Sequence, residues 1–94
     1  MIRSFRDRRT EAFWNGQNVG QFQAFAPVAR RKLDMVNAAQ DVQDLRVPPG
    51  NRLEALKGDR DGQFSIRIND QWRVCFQWAD GDAHNVEIVD YHRG

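Results

Sequence analysis

Between Phe64 and Trp78 the chain alternates apolar and polar positions with a period of two. Phe64, Ile66 and Ile68 share one face of a strand, Ser65 and Arg67 occupy the other, and Trp72, Val74, Phe76 and Trp78 repeat the pattern. If the two apolar faces coincide, Ile68 stands opposite Trp72 and Ile66 opposite Val74, leaving Asn69-Asp70-Gln71 as a three-residue hairpin loop. The same register sets Arg67 opposite Arg73. Asp80-Gly81-Asp82 supplies the next turn, and Val86 and Ile88 carry the apolar face into a last strand that runs to Val89. Upstream, residues 52–57 predict a strand with Leu53 and Ala55 on one side and Arg52 and Glu54 on the other. Leu56 breaks that alternation, which implies a bulge or strand end just before the turn at residues 58–62.

The first half follows a different period. Residues 2–5 predict a short first strand, and residues 8–15 a short helix stopped near Gly16. From residue 21 to residue 39, Phe22, Ala26, Ala29, Leu33 and Val36 recur at spacings of three and four, the buried stripe of a helix. Arg30, Arg31, Lys32 and Asp34 lie off the stripe and read as a solvated face. Pro27 either opens this helix in its first turn or kinks it. Residues 42–47 form a linking segment, and Pro48-Pro49-Gly50 divides the helical half from the strand-rich half. The predicted fold is therefore α+β: a strand, two helices, then an antiparallel meander with helices on one face and an open face where a site can form.

Composition narrows the classes. Ninety-four residues suit one small domain with one modest core, and 29% charged against 40% hydrophobic residues fits a globular chain rather than a disordered one. No apolar run reaches membrane-spanning length, and residues 1–6 lack the apolar stretch of a secretory leader, so the expected compartment is the cytoplasm, with no membrane partner. Cys75, the single cysteine, excludes an internal disulfide and a cysteine-built zinc site, and its apolar strand makes it a core thiol. The net charge of +1 is uneven: residues 1–60 hold 11 Lys/Arg against 7 Asp/Glu, whereas residues 61–94 hold 3 against 6. A basic half permits contact with a polyanion without demanding it.

The candidate chemistry begins at the arginine pair. Two guanidinium groups directly opposite on a sheet repel, so Arg67 and Arg73 call for a neighbouring carboxylate or a bound anion. Glu87 has the parity of Arg73, which leaves a simple cross-strand ion pair and an anion site both open. The end of the chain, Asp90-Tyr91-His92-Arg93-Gly94, reads by default as a frayed polar tail. Its chemistry suggests more. Histidine titrates near neutrality, tyrosine donates a hydrogen bond and arginine stabilises phosphoryl charge, so His92, Tyr91 and Arg73 are groups that metal-free RNA cleavage needs.

The segment Asn51-Arg52-Leu53-Glu54-Ala55-Leu56-Lys57-Gly58-Asp59-Arg60, then Gly62, Ser65-Ile66-Arg67, Gln71-Trp72-Arg73 and Asp90-Tyr91-His92, resembles the HigB-type toxins of type II toxin–antitoxin modules, near their GraT-like branch in the RelE/ParE superfamily. Met1-Ile2-Arg3-Ser4-Phe5 fits as well, so the resemblance spans essentially the whole chain. It implies a RelE-like fold and ribosome-dependent cleavage of mRNA with no metal or cofactor. It implies activity in Asp90, Tyr91 and His92, and a phosphate-stabilising role for Arg73. Some HigB toxins place a histidine where this chain has Glu54. The resulting glutamate–histidine pair is similar to that of YoeB-type toxins, with Glu54 as base toward a ribose 2′-hydroxyl and His92 as acid, or the reverse. Arg52, Lys57, Arg60 and Arg67 are the candidates for RNA-backbone contacts, against a reading as solvated charge. The implied partners are the ribosome with its mRNA and a HigA-like helix-turn-helix antitoxin, through which alone operator DNA is met. Two other readings are a ParE-like gyrase inhibitor without enzymatic activity and a non-catalytic RNA-binding module.

Overall fold

In the computed structural model, which describes residues 1–91, the alternating segments form a four-stranded antiparallel sheet in the order β1-β2-β3-β4. The strands are β1 (Glu54–Ala55), β2 (Gln63–Arg67), β3 (Trp72–Ala79) and β4 (Asp82–Asp90). Ile66 faces Val74 and Arg67 faces Arg73, the register that burial of one face requires, because a slip of one residue would turn Ile66 and Val74 outward. Ile68 closes the hairpin by donating its N–H to the Trp72 carbonyl at 2.9 Å. Asp80 and Gly81, with φ of 55° and 78°, form the two-residue turn between β3 and β4, the left-handed geometry that suits the right-handed twist of the strands.

Two helices, α1 (Arg8–Trp14) and α2 (Ala26–Ala38), supply the apolar cover. Asp7 caps α1 by accepting from the Thr10 N–H, and buried Thr10 ties the helix to the sheet, its hydroxyl oxygen accepting from the Ile88 N–H at 3.0 Å. The single helix expected over residues 21–39 is instead a 3-10 helix, Gly20–Phe25, followed by α2 with Pro27 in its first turn. The proline ring admits no α-helical hydrogen bond from its nitrogen, so the α-helix starts there. The 3-10 turn still buries its aromatic rings. Phe22 meets Phe13 edge-on at 5.6 Å and Trp72 at 5.8 Å, and Phe25 lies 5.0 Å from Trp72. Leu33, Val36, Ile66, Val74, Phe76, Val86 and Ile88 complete this core.

Other expectations change in detail. Residues 2–5 form only two isolated parallel bridges, Ile2 with Ala83 and Phe5 with Val86. The cause is a bulge in β4. Cys75 pairs with Glu87 and Gln77 with His84, so β4 spends one extra residue there, Asn85 turns left-handed with φ of 53°, and the Ser4 hydroxyl takes its N–H. The linking segment contains a 3-10 turn, Val42–Arg46, capped by Asp41. The strand expected over 52–57 shrinks to Glu54–Ala55, because Arg52 sits in the left-handed region with φ of 47° and the chain leaves the sheet after Leu56. The last strand extends one residue further than expected, to Asp90. Among the described residues no helix is long and apolar enough to cross a membrane.

The second face of the sheet carries Glu54, Ser65, Cys75 and Glu87 in one cross-strand row, and Arg67, Arg73 and Val89 in the next. Tyr91 continues the parity of Val89 and donates its N–H to the Gln71 carbonyl. The β1–β2 connection folds over part of this face. Its Arg60 reaches Glu87 on β4, and Leu56 and Cys75 are buried although they lie outside the main core cluster.

Candidate functional site

Arg73 is the centre of the open face. Its backbone is locked in β3 between two hydrogen-bonded neighbours, and its side chain is only 10% exposed. The guanidinium meets Glu54 Oε1 at 3.2 Å, Ser65 Oγ at 3.1 Å and the Arg52 carbonyl at 3.5 Å, and lies 5.4 Å from the centroid of the Tyr91 ring. Four partners fix its direction before any ligand arrives. The repulsion expected between the cross-strand arginines is relieved by a separate carboxylate for each: Glu54 for Arg73 and Asp70, in the hairpin loop, for Arg67. Glu87, the sequence candidate for Arg73's partner, is held instead by Arg60 at 2.8 Å and Arg6 at 3.7 Å. It stands opposite Cys75, one cross-strand row away from Arg73, where the β1–β2 connection delivers Arg60 to it.

Around Arg73 opens a cleft of about 480 Å³, lined by Arg52, Glu54, Arg67, Asn69, Asp70, Arg73 and Tyr91. The fold thus brings together five of the residues singled out from the sequence: Glu54, Arg73, Tyr91, Arg52 and Arg67. Arg60 and exposed Lys57 are not among the lining residues, and Arg60 is committed to Glu87. Asp90 lines a different groove with Arg9, Gln21 and Trp72, and its carboxylate accepts from Gln71 Nε2 at 3.0 Å. His92 lies outside the described residues. Ser65, Asn69 and Asp70 are additions. Ser65 carried the right parity, but its contact with Arg73 follows from the β2–β3 register only once the arginine's direction is known.

The cleft can hold an anion against guanidinium groups while presenting a carboxylate, that of Glu54, 37% exposed, beside the same anion. Among the described residues no group of three or more His, Cys, Asp and Glu side chains gathers as metal ligands. Cys75, beneath the face, has its thiol pushed up to about 11, mainly by burial, and so stays protonated and unreactive.

One buried amide holds the cleft wall. Asn51 is fully buried; its Nδ2 donates to the carbonyls of Leu45 at 3.2 Å and Val47 at 3.4 Å, and its Oδ1 accepts from Lys32. The next residue is Arg52, whose left-handed backbone turns its carbonyl to Arg73. Asn51→Ala strips hydrogen bonds from buried groups and should lower unfolding free energy by about 1–3 kcal/mol, measured by urea denaturation. A midpoint equal to that of the unsubstituted protein would show that water replaces the amide without loss.

A family model and two named relatives point to one family. Residues 3–92 match the model of the HigB-like toxins, described as the RelE-like toxin of type II toxin–antitoxin system HigB. The chain is 40% identical to Toxin HigB-1 of Vibrio cholerae over 99% of both chains. It is 31% identical to Endoribonuclease HigB of Proteus vulgaris over 98% of this chain and 100% of that one. In three dimensions it is similar to a chain of the YoeB–YefM complex from Staphylococcus aureus, with a TM-score of 0.57, 15% identity and 99% of each chain covered. At that identity the likeness concerns the fold.

Proposed function

Since the chain belongs to the HigB-like family of RelE-type toxins of type II toxin–antitoxin systems, we propose that it cleaves mRNA on the ribosome by attack of a ribose 2′-hydroxyl on its own phosphodiester. The observation that carries this reading is the 3.2 Å contact between Glu54 and Arg73 in an open cleft, a proton acceptor and a phosphate-binding group at one point. Glu54 takes the 2′-hydroxyl proton, and the freed oxygen attacks phosphorus while Arg73 stabilises the charge that grows on the phosphoryl oxygens. The bond to the 5′-oxygen breaks, and His92 protonates that oxygen. The products are a 2′,3′-cyclic phosphate and a 5′-hydroxyl. Carboxylate, guanidinium and imidazole suffice for these steps, with no metal in a role. Tyr91, held against Arg73, steers the phosphate or stacks on a base, and Asp90 orients His92 or a substrate group. Arg52 and Arg67 bind the RNA backbone at the cleft walls. A HigA-like antitoxin neutralises the toxin in the cytoplasm and alone reads operator DNA.

The test is purified toxin with ribosomes translating a defined mRNA. Cleavage should leave a cyclic-phosphate end, vanish when the cut nucleotide carries a 2′-deoxyribose, and persist under a chelator titrated so that ribosomes stay assembled. Intact mRNA beside inhibited gyrase would assign the chain to the ParE-like mode instead.

A further inference from the structure

The basic run on α2 reads in the sequence as a solvated face, but the fold sorts its three residues into three environments. Arg30 turns inward, its guanidinium 4.7 Å from the Phe13 ring centroid and donating to the Phe13 carbonyl. Arg31 is exposed. Lys32 is half-buried and points toward the segment before β1, where its ammonium donates to Asn51, the neighbour of the cleft residue Arg52. Burial first, and then the positive charges of Arg31 and Arg67, hold the Lys32 ammonium below the usual lysine range. The carboxylates at this rim are engaged elsewhere, Asp70 with Arg67 and Glu54 with Arg73. An ammonium has three donors, and Asn51 takes one.

Lys32 and Arg31 therefore carry positive charge from the cleft wall at Asn51 and Arg52 onto α2, where Asp34 is the one nearby acidic residue of the helix. Like charges assembled in a row repel one another and gain from a polyanion laid along them. The cleft, at about 480 Å³, has the size of a small-ligand pocket, so a polymer bound in it must continue outside. Taking RNA as the cleft's substrate, we propose that Lys32 and Arg31 form a backbone track that binds the phosphates of the same RNA strand where it leaves the cleft past Arg52. The track reads no base; it adds affinity for length.

The experiment measures binding, not cleavage, by fluorescence anisotropy with 2′-O-methyl RNA, which lacks the attacking hydroxyl. A trinucleotide and a much longer strand are titrated over a salt series against the full chain and its Arg31→Gln/Lys32→Gln variant, free and on ribosomes, and binding of each protein to vacant ribosomes is measured in parallel. Glutamine at residue 32 offers Asn51 an amide donor one bond shorter than the lysine, so the melting temperature of the variant is measured alongside. The variant should bind the trinucleotide as the unsubstituted protein does. It should bind the long strand about five- to tenfold more weakly, with the slope of log K against log salt flattened by about 0.7 for each phosphate no longer neutralised. Should the double variant melt early, Arg31→Gln alone, on an exposed residue, should still flatten the slope by the share of one phosphate.

Equal affinities and slopes for the long strand would overturn the track. So would an equal loss on both RNAs, which would mean that the cleft itself had changed, or a loss confined to vacant ribosomes, which would give the surface to ribosomal RNA. An unsubstituted protein that holds neither oligonucleotide, on or off the ribosome, overturns the substrate reading of the cleft and this track with it.

Discussion

Arg73→Ala is expected to slow mRNA cleavage by about 10²- to 10³-fold, the loss that follows removal of one preorganised donor from a developing oxyanion. The size of the effect comes from what already surrounds the guanidinium. Glu54, Ser65, the Arg52 carbonyl and the Tyr91 ring fix its orientation in the folded protein, so no side-chain ordering is left for the moment of reaction. Arg73→Lys should recover little of the loss. A lysine ammonium keeps the charge but lacks the planar fork, and cannot span Glu54, Ser65 and an incoming phosphate in the directions the guanidinium does. Removing Arg73 also leaves the buried Ser65 hydroxyl without its partner, so both variants should be assayed well below their melting temperatures. Cleavage by Arg73→Ala at the unsubstituted rate would remove the guanidinium from the chemistry and leave it a sheet-face ion pair.

The parts of this architecture that were legible in the sequence are those decided by burial of one face. The β2–β3 register follows because Ile66 and Val74 must share the side that Phe22, Leu33 and Val36 cover, and the Arg67–Arg73 apposition comes with it. Pro27 marks the start of α2 for an equally local reason. What could not be read depended on contacts distant in sequence. The shortness of β1 follows from Arg52 in the left-handed region after a turn pinned by Asn51, whose partners come from α2 and from residues 45 and 47. Glu87 had the parity to serve Arg73, but it stands one cross-strand row away, opposite Cys75, and Arg60 from the β1–β2 connection and Arg6 hold it there. Glu54 entered as a candidate through the family resemblance; pattern alone placed it on a polar face with no arginine assigned to it. The sorting of Arg30, Arg31 and Lys32 was beyond pattern altogether, since helical periodicity separates a buried stripe from a wet face and does not say which wet residue meets a loop.

Glu54→Gln separates the two roles that the geometry offers this carboxylate, and is expected to reduce cleavage by about 10²- to 10⁴-fold, the usual worth of a general base. The amide retains an oxygen where Glu54 Oε1 meets Arg73, so a residue that merely positions the guanidinium would be largely replaced, with near-normal turnover. A base would not be replaced, because an amide oxygen cannot take the 2′-hydroxyl proton. Binding of uncleavable RNA should survive the change or strengthen slightly, as a negative charge leaves a cleft whose other walls include Arg52, Arg67 and Arg73. Melting temperature should fall modestly, since the amide keeps an oxygen toward Arg73 but leaves that guanidinium, only 10% exposed, without its counter-charge. Slow cleavage with intact binding and folding assigns the proton transfer to Glu54. Cleavage by Glu54→Gln at the unsubstituted rate, together with a loss in Glu54→Ala, would make the side chain a positioning residue for Arg73 and move the base to another group at the cleft.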